Sequence, residues 1–276
     1  VIPTIAPYLL PVFIEAFSKK FPKVQLVVDE LKTDTILEML HDDRLDAAIL
    51  ATPLNESGLH ERPIFYEPFS LYVAKGHPLS ARKRIKEDDL KGDEMWLLAD
   101  GHCFRQQIVR YCSLRNQDGV FPNVHFEGGN IDTLRYLIRK SRGYTLVPAL
   151  FVETLSEAEK RDHIRDFEKP APSREVSLIY RRDQWKSDIL KSLEETIRER
   201  LPKELTRFDP KRQFLYAASL SFKCREVRTR DRSARLPGQC RIDAQAARLE
   251  RPGRASLSRA RHERALPRAG MGCRRF

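Results

Sequence analysis

Apolar positions along this chain fall in short blocks whose period keeps switching between that of a helix and that of a strand. Leu9, Leu10, Phe13 and Phe17 recur at helical spacing. They predict a helix over 8–20, with Pro11 in its first turn, where a missing N–H costs little. Residues 24–28 read as a strand. Thr33 is placed to cap a helix reaching about residue 40, with Ile36, Leu37 and Leu40 inward. Residues 45–50 are almost continuously apolar, as in a parallel strand covered on both faces. Pro53, Gly58, Pro63 and Pro68 make 51–68 read as loop. Strands are expected at 69–74 and 95–98, with a turn at Gly76-His77-Pro78-Leu79 between them.

The second half repeats the alternation. A strand at 124–127 leads through Gly128, Gly129 and Asn130 into a helix over 131–140, with Leu134, Leu137 and Ile138 inward and Gly143 beyond its end. Then come a strand over 144–147 stopped by Pro148, a short helix within 149–162, and a loop marked by Pro170 and Pro172. A strand over 175–180 and an amphipathic helix over 187–200 follow, the latter with Ile189, Leu190, Leu193 and Ile197 on one face. No repeat is present. This is an α/β pattern. About 210 residues of it suit two lobes better than one core. The chain is expected to cross between lobes near 66–70 and near 180–184, leaving a cleft suited to a small ligand.

The chemistry-bearing stretch is Asp100 to Cys112, with cysteines at 103 and 112. Asp100 is a candidate N-cap, Gly101 permits the entering turn, and Ile108, Val109 and Cys112 suit one apolar face. Nine helical residues rise about 13.5 Å, whereas a disulfide needs Cα atoms about 4.4–6.8 Å apart. Joining the two thiols would require the helix to unwind, so the pair suits a redox-operated conformational change better than a staple. Cys103 would lie near the third helical position, where orphan N–H groups and the helix dipole favour a thiolate. His102 and Arg105 add positive or hydrogen-bonding character. Two ordinary buried cysteines would give the same spacing.

Charge changes the picture at one end. The net charge is +11, and residues 216–276 hold all of it, with 16 Lys and Arg against 5 Asp and Glu. The body, 1–215, is neutral. The tail has fifteen arginines and one lysine, and its Cys224, Cys240 and Cys273 lack metal-like spacing. It reads as a disordered or adventitious extension rather than a basic nucleic-acid-binding arm. No apolar run approaches the ~20 residues of a membrane span, and no signal-peptide pattern opens the chain. A reducing cytoplasm is expected, where a close cysteine pair is more often catalytic or sensing than structural. The chain starts at Val1 and reads as part of something longer, or as a processed or engineered product. No metal or cofactor is expected.

Several blocks resemble the effector domain of LysR-type bacterial transcription regulators: Val1-Ile2-Pro3-Thr4-Ile5-Ala6-Pro7-Tyr8-Leu9-Leu10-Pro11, Leu45-Asp46-Ala47-Ala48-Ile49-Leu50, Gly76-His77-Pro78-Leu79 and Thr145-Leu146-Val147-Pro148-Ala149-Leu150. Gly101-His102-Cys103-Phe104-Arg105, with Cys112 nine residues on, narrows the resemblance to the family's peroxide-sensing members. The resemblance covers about 1–215. It implies two Rossmann-like lobes arranged as in periplasmic binding proteins, 1–68 with 182–215 forming lobe I and 69–181 forming lobe II. It implies Cys103 as the peroxide-reacting thiol and Cys112 as the resolving one. Thr4, Thr33, His102 and Arg181 match positions around the peroxide pocket, and Arg105 tunes the thiolate. Gln106 stands where better-known members are expected to carry a carboxylate.

The implied partners are hydrogen peroxide, thiol reductants, DNA through an N-terminal winged helix-turn-helix domain absent from this chain, and further copies in a homodimer or homotetramer. Peroxide is consumed stoichiometrically, so the expected role is a sensor and not an enzyme. Two alternatives are a domain holding a small organic ligand in the cleft and, with less support, a thiol peroxidase.

Overall fold

The computed structural model describes residues 1–54, 56–112, 120, 126, 128–181 and 186–215. The expected strand at 124–127, Phe126 apart, and the arginine-rich tail lie outside them. Among the described residues, no helix is long and apolar enough to cross a membrane.

The elements in chain order are helices α1 (Ala6–Lys20) and α2 (Thr33–His41), strands β1 (Ala48–Thr52), β2 (Leu59–Val73) and β3 (Arg84–Ile85), then helices α3 (Cys103–Tyr111) and α4 (Ile131–Lys140). They continue with β4 (Tyr144–Pro148), α5 (Ala149–Glu153), α6 (Glu157–His163), β5 (Ile164–Phe167), β6 (Pro172–Arg181), α7 (Ser187–Arg200), α8 (Lys203–Thr206) and β7 (Gln213–Phe214). The fold is α/β, with one long strand as its spine. The first part of β2 pairs with β6, from Leu59 opposite Arg181 to Pro68 opposite Ser173. From Phe69 onward the same strand pairs with β4 and β5. β1 lies on the far side of β6, and β3 on the far side of β5.

Several expectations change. Residues 59–68 are strand, not loop. Pro63 is accommodated because the β2–β6 register shifts between Pro63 and Phe65, and a bulge tolerates a residue without an N–H. Pro68 sits at the handover between ladders. β1 is antiparallel to β6, although its sequence suggested a parallel strand. Its five residues are all buried, so the continuous apolar run reflects cover on both faces and not strand direction. Residues 24–28 are extended without strand pairing among the described residues; Leu26, Val27 and Val28 instead line a groove with Phe13, Leu45 and Ile49. Residues 95–98 run beside β4 with one parallel bridge, Met95 to Tyr144, in place of a strand. Helix α1 starts earlier than expected, so Pro7 takes the N-terminal place and Pro11 lies inside the helix. The helix expected within 149–162 is two, the second capped by Ser156, whose hydroxyl accepts from Glu159 N. β6 was expected in the second lobe, yet its pairing is with β1, the first part of β2 and β7.

Candidate functional site

Three chain turns converge on Cys103. Thr4 lies in the turn that starts α1, Thr33 is the first residue of α2, and Cys103 is the first residue of α3. The N-cap of α3 is His102, not Asp100. Asp100 is drawn off by Arg105, whose Nε donates to Asp100 Oδ1 at 2.7 Å while Nη1 donates to Leu98 O at 3.0 Å. Gly101, at φ +84°, makes the bend between them, and a side chain there would press on the stem of Lys32 at 3.2 Å. The buried face of α3 is Cys103, Phe104, Gln107, Ile108 and Tyr111. Cys112 is the C-cap, its N–H donating to Ile108 O at 2.9 Å. Both thiols are free, Cys103 buried and Cys112 half-buried. A nine-residue helix lies between them.

Two residues absent from the sequence expectations dominate the surroundings. Arg174, the third residue of β6, is 1% exposed, and Glu67, on β2, is 0% exposed. Arg174 Nε donates to Glu67 Oε1 at 2.7 Å, Nη1 to Thr4 Oγ1 at 3.1 Å and Nη2 to Thr4 O at 3.1 Å. Leu150 N donates to the other Glu67 oxygen at 3.3 Å. The guanidinium carbon lies 5.4 Å from the Phe104 ring centroid and 5.8 Å from that of Phe69. A buried cation so fully committed fixes Thr4 in place and lays a positive charge beside the residue next to Cys103. The sequence carried no local signal for this pair, because Arg174 stands between Ser173 and Glu175, and Glu67 falls among the prolines that read as loop.

Arg181 does not take this place. It lies seven residues further along β6, about 23 Å at strand rise, and its guanidinium is 3.8 Å from Asp43. Arg105 also differs from expectation: its guanidinium holds the loop at Asp100 and Leu98, and the side-chain cation acting on the thiol is Arg174. Gln106 is exposed.

The electrostatics run against a standing thiolate. Burial pushes the Cys103 thiol above its ordinary value, against the pull of Thr33, the Arg174 cation and the N–H groups of Phe104 and Ala51. Thr33 Oγ1 is buried without a fully formed hydrogen bond; the group it addresses is the Cys103 sulfur. Burial, and then the charge of Lys32, hold His102 below its usual value. It is therefore a neutral imidazole near pH 7, not a cation. The site can thus keep a protonated thiol at rest, with fixed donors ready for the negative charge that develops when the sulfur reacts. Among the described residues, no group of three or more His, Cys, Asp or Glu converges as a metal site.

Cys112 is pushed up to about 12 by burial and then by the Glu87 carboxylate. An unfolded thiol ionises near pH ~8.5. Between those values the unfolded chain holds fewer protons than the folded one, so stability falls as pH rises. Wild type is expected to lose about 2 kcal/mol relative to Cys112→Ala between pH 8 and pH 11, after allowance for partial exposure. Urea melts of the two proteins across that range would check it; parallel curves would contradict the burial of this thiol.

A family model described as the LysR substrate binding domain matches residues 1–202. A "Hydrogen peroxide-inducible genes activator" of Pectobacterium carotovorum subsp. carotovorum is 35% identical over 200 residues, covering 72% of this chain and 65% of that protein. The "DNA-binding transcriptional dual regulator OxyR" of Escherichia coli (strain K12) is 34% identical over 202 residues, covering 72% of this chain and 64% of that protein. The chain thus spans slightly under two thirds of these relatives' length. Among solved structures, OxyR from Porphyromonas gingivalis is similar with TM-score 0.71 at 30% identity, covering 78% of this chain and 96% of that one. The reduced form of the OxyR regulatory domain from Pseudomonas aeruginosa has TM-score 0.63 at 29% identity, covering 72% and 94%.

Proposed function

The chain belongs to the family of LysR substrate binding domains, and on that premise we propose that it is the redox-sensing regulatory part of a transcription regulator, with hydrogen peroxide as the signal. The observation that carries this reading is a buried thiol on the first residue of a helix, faced by Thr33 and the Thr4–Arg174–Glu67 cluster, with a second thiol at the helix's far end. Peroxide-responsive relatives at 34–35% identity support the choice of signal.

The Cys103 sulfur attacks one peroxide oxygen as the O–O bond breaks. The thiol gives up its proton beforehand, so that the thiolate reacts, and the departing hydroxide takes up a proton from the medium with the Thr33 hydroxyl as relay; a sulfenic acid and one water are formed. Thr4, held by Arg174, and His102, the residue before Cys103, are the further groups we assign to holding peroxide. Cys112 sulfur then attacks the sulfenic sulfur, a second water leaves, and the disulfide closes. Nine residues of helix separate the two Cα atoms by about 13.5 Å, so α3 must unwind to bring them within about 4.4–6.8 Å. The new shape repacks subunits of a homodimer or homotetramer and resets the spacing of the DNA-binding domains of the full-length protein. Thiol reductants of the cytoplasm restore the helix. One peroxide is used per disulfide, which makes the domain a sensor, not a catalyst. We place the lobes at 1–68 with 172–215, and at 69–171, because β6 pairs with β1 and the first part of β2.

The test is mass spectrometry of protein treated with one equivalent of peroxide. A Cys103–Cys112 link is expected, lost in Cys103→Ser with the fold intact. A response that survives Cys103→Ser would favour an organic ligand in the cleft. Many turnovers with a reductant would favour a thiol peroxidase.

A further inference from the structure

Helix α3 reaches the β6 region through two side chains one turn apart, Phe104 directly against Arg174 and Gln107 by way of Leu215. Phe104 lies under the Arg174 guanidinium. Gln107 is 0% exposed, and its Nε2 donates to Leu215 O at 2.7 Å. Leu215 N in turn donates to Ser173 O at 2.8 Å, the residue before Arg174. A little earlier, Arg212 Nη1 donates to Tyr66 O at 2.8 Å, the residue before Glu67. The short strand β7, parallel to β6 at Pro172 and Ser173, is therefore stitched to the neighbours of both members of the buried ion pair, and Gln107 ties that stitching to the redox helix. The partner of Gln107 is a carbonyl, so the amide nitrogen must be the atom that faces it. That leaves Oε1 buried with no partner among the described residues.

We propose that Gln107 is a positioning residue that docks α3 on β6 through Leu215, and that unwinding of α3 on disulfide closure withdraws this amide and loosens β7, so that the redox state is read out at residues 213–215. The inference rests on the proposed disulfide for its second half only; the docking role stands on the reduced form.

Hydrogen exchange of the whole chain, followed on peptides covering 208–215, tests both halves. Reduced wild type should protect the Gln213 and Leu215 amides, which donate to Ala171 O and Ser173 O. Gln107→Leu, kept reduced, should lose protection there at least tenfold while peptides from β1 keep theirs. Gln107→Asn, which retains the amide but shortens its reach by one methylene, should do the same and serves if the leucine variant fails to fold. Peroxide-treated wild type with the Cys103–Cys112 link verified by mass should match the reduced Gln107→Leu pattern. Unchanged protection in the reduced variants would overturn the docking role. Full protection in verified disulfide protein would overturn the readout. If no link forms at all, the redox reading itself fails, and the reduced variants still decide the docking role.

Discussion

Arg174→Met is expected to lower the unfolding free energy by about 3–5 kcal/mol and to slow the reaction of Cys103 with peroxide by about 10–100-fold. The stability loss follows from Glu67, which is wholly buried and, among the described residues, would be left with Leu150 N as its remaining partner. The rate loss follows from the Thr4 side chain and carbonyl, both held by the same guanidinium, and from the cation's pull on the thiol. The two effects separate in the double variant Glu67→Gln/Arg174→Met. With no net charge left in the core, most of the stability should return, because replacing both members of a buried pair is far cheaper than removing one. The slow oxidation should remain. Denaturant melts and stopped-flow oxidation of the three proteins would check this. A single variant that loses less than about 1 kcal/mol, or a double variant that reacts at the wild-type rate, would remove Arg174 from the site's machinery.

The second large effect is a pH profile. Burial raises the Cys103 thiol, and the thiolate is the reacting form. The rate of Cys103 oxidation should therefore climb about tenfold per pH unit on the acid side and level at a higher pH than the ~8.5 of an ordinary thiol. Thr33→Val should lower the whole curve by removing the hydroxyl that counters burial. His102 should add no inflection above pH 7, because burial and Lys32 hold it neutral there. A profile flat from pH 6 upward would mean a standing thiolate, and the picture of a resting thiol with waiting donors would fall.

For the proposed sensor this arrangement has two useful properties. A protonated, buried thiol is a poor target for bulky oxidants and for metals. The donors that activate it come from separate chain turns, and so only the folded, reduced domain presents them together. The same burial places the reacting sulfur next to a hinge of mixed composition: apolar Phe104 and Ile108 hold α3 in, while Gln106 and Arg110 face solvent.

Helix periodicity read well because amphipathic helices carry their burial in local spacing; α2, α4 and α7 lie close to where Ile36, Leu134 and Leu193 put them. The cysteine pair and its incompatibility with an intact helix were equally local, since nine residues and a helical rise are enough to state it. Strand direction was not local. The buried residues of β1 look alike whether the neighbour runs parallel or antiparallel, and only the partner β6 decides. The prolines of β2 suggested loop, because a bulge depends on the strand opposite. The cation of the site was the largest gap. Arg174 and Arg181 lie on one strand, and nothing in their own neighbourhoods says which meets Thr4, 170 residues away. Sequence alone determined the α/β pattern, the spacing of the two cysteines and the neutral body; tertiary structure alone decided which charge is buried beside the thiol and that burial pushes that thiol up, because desolvation is a property of everything packed around a group and not of its neighbours in the chain.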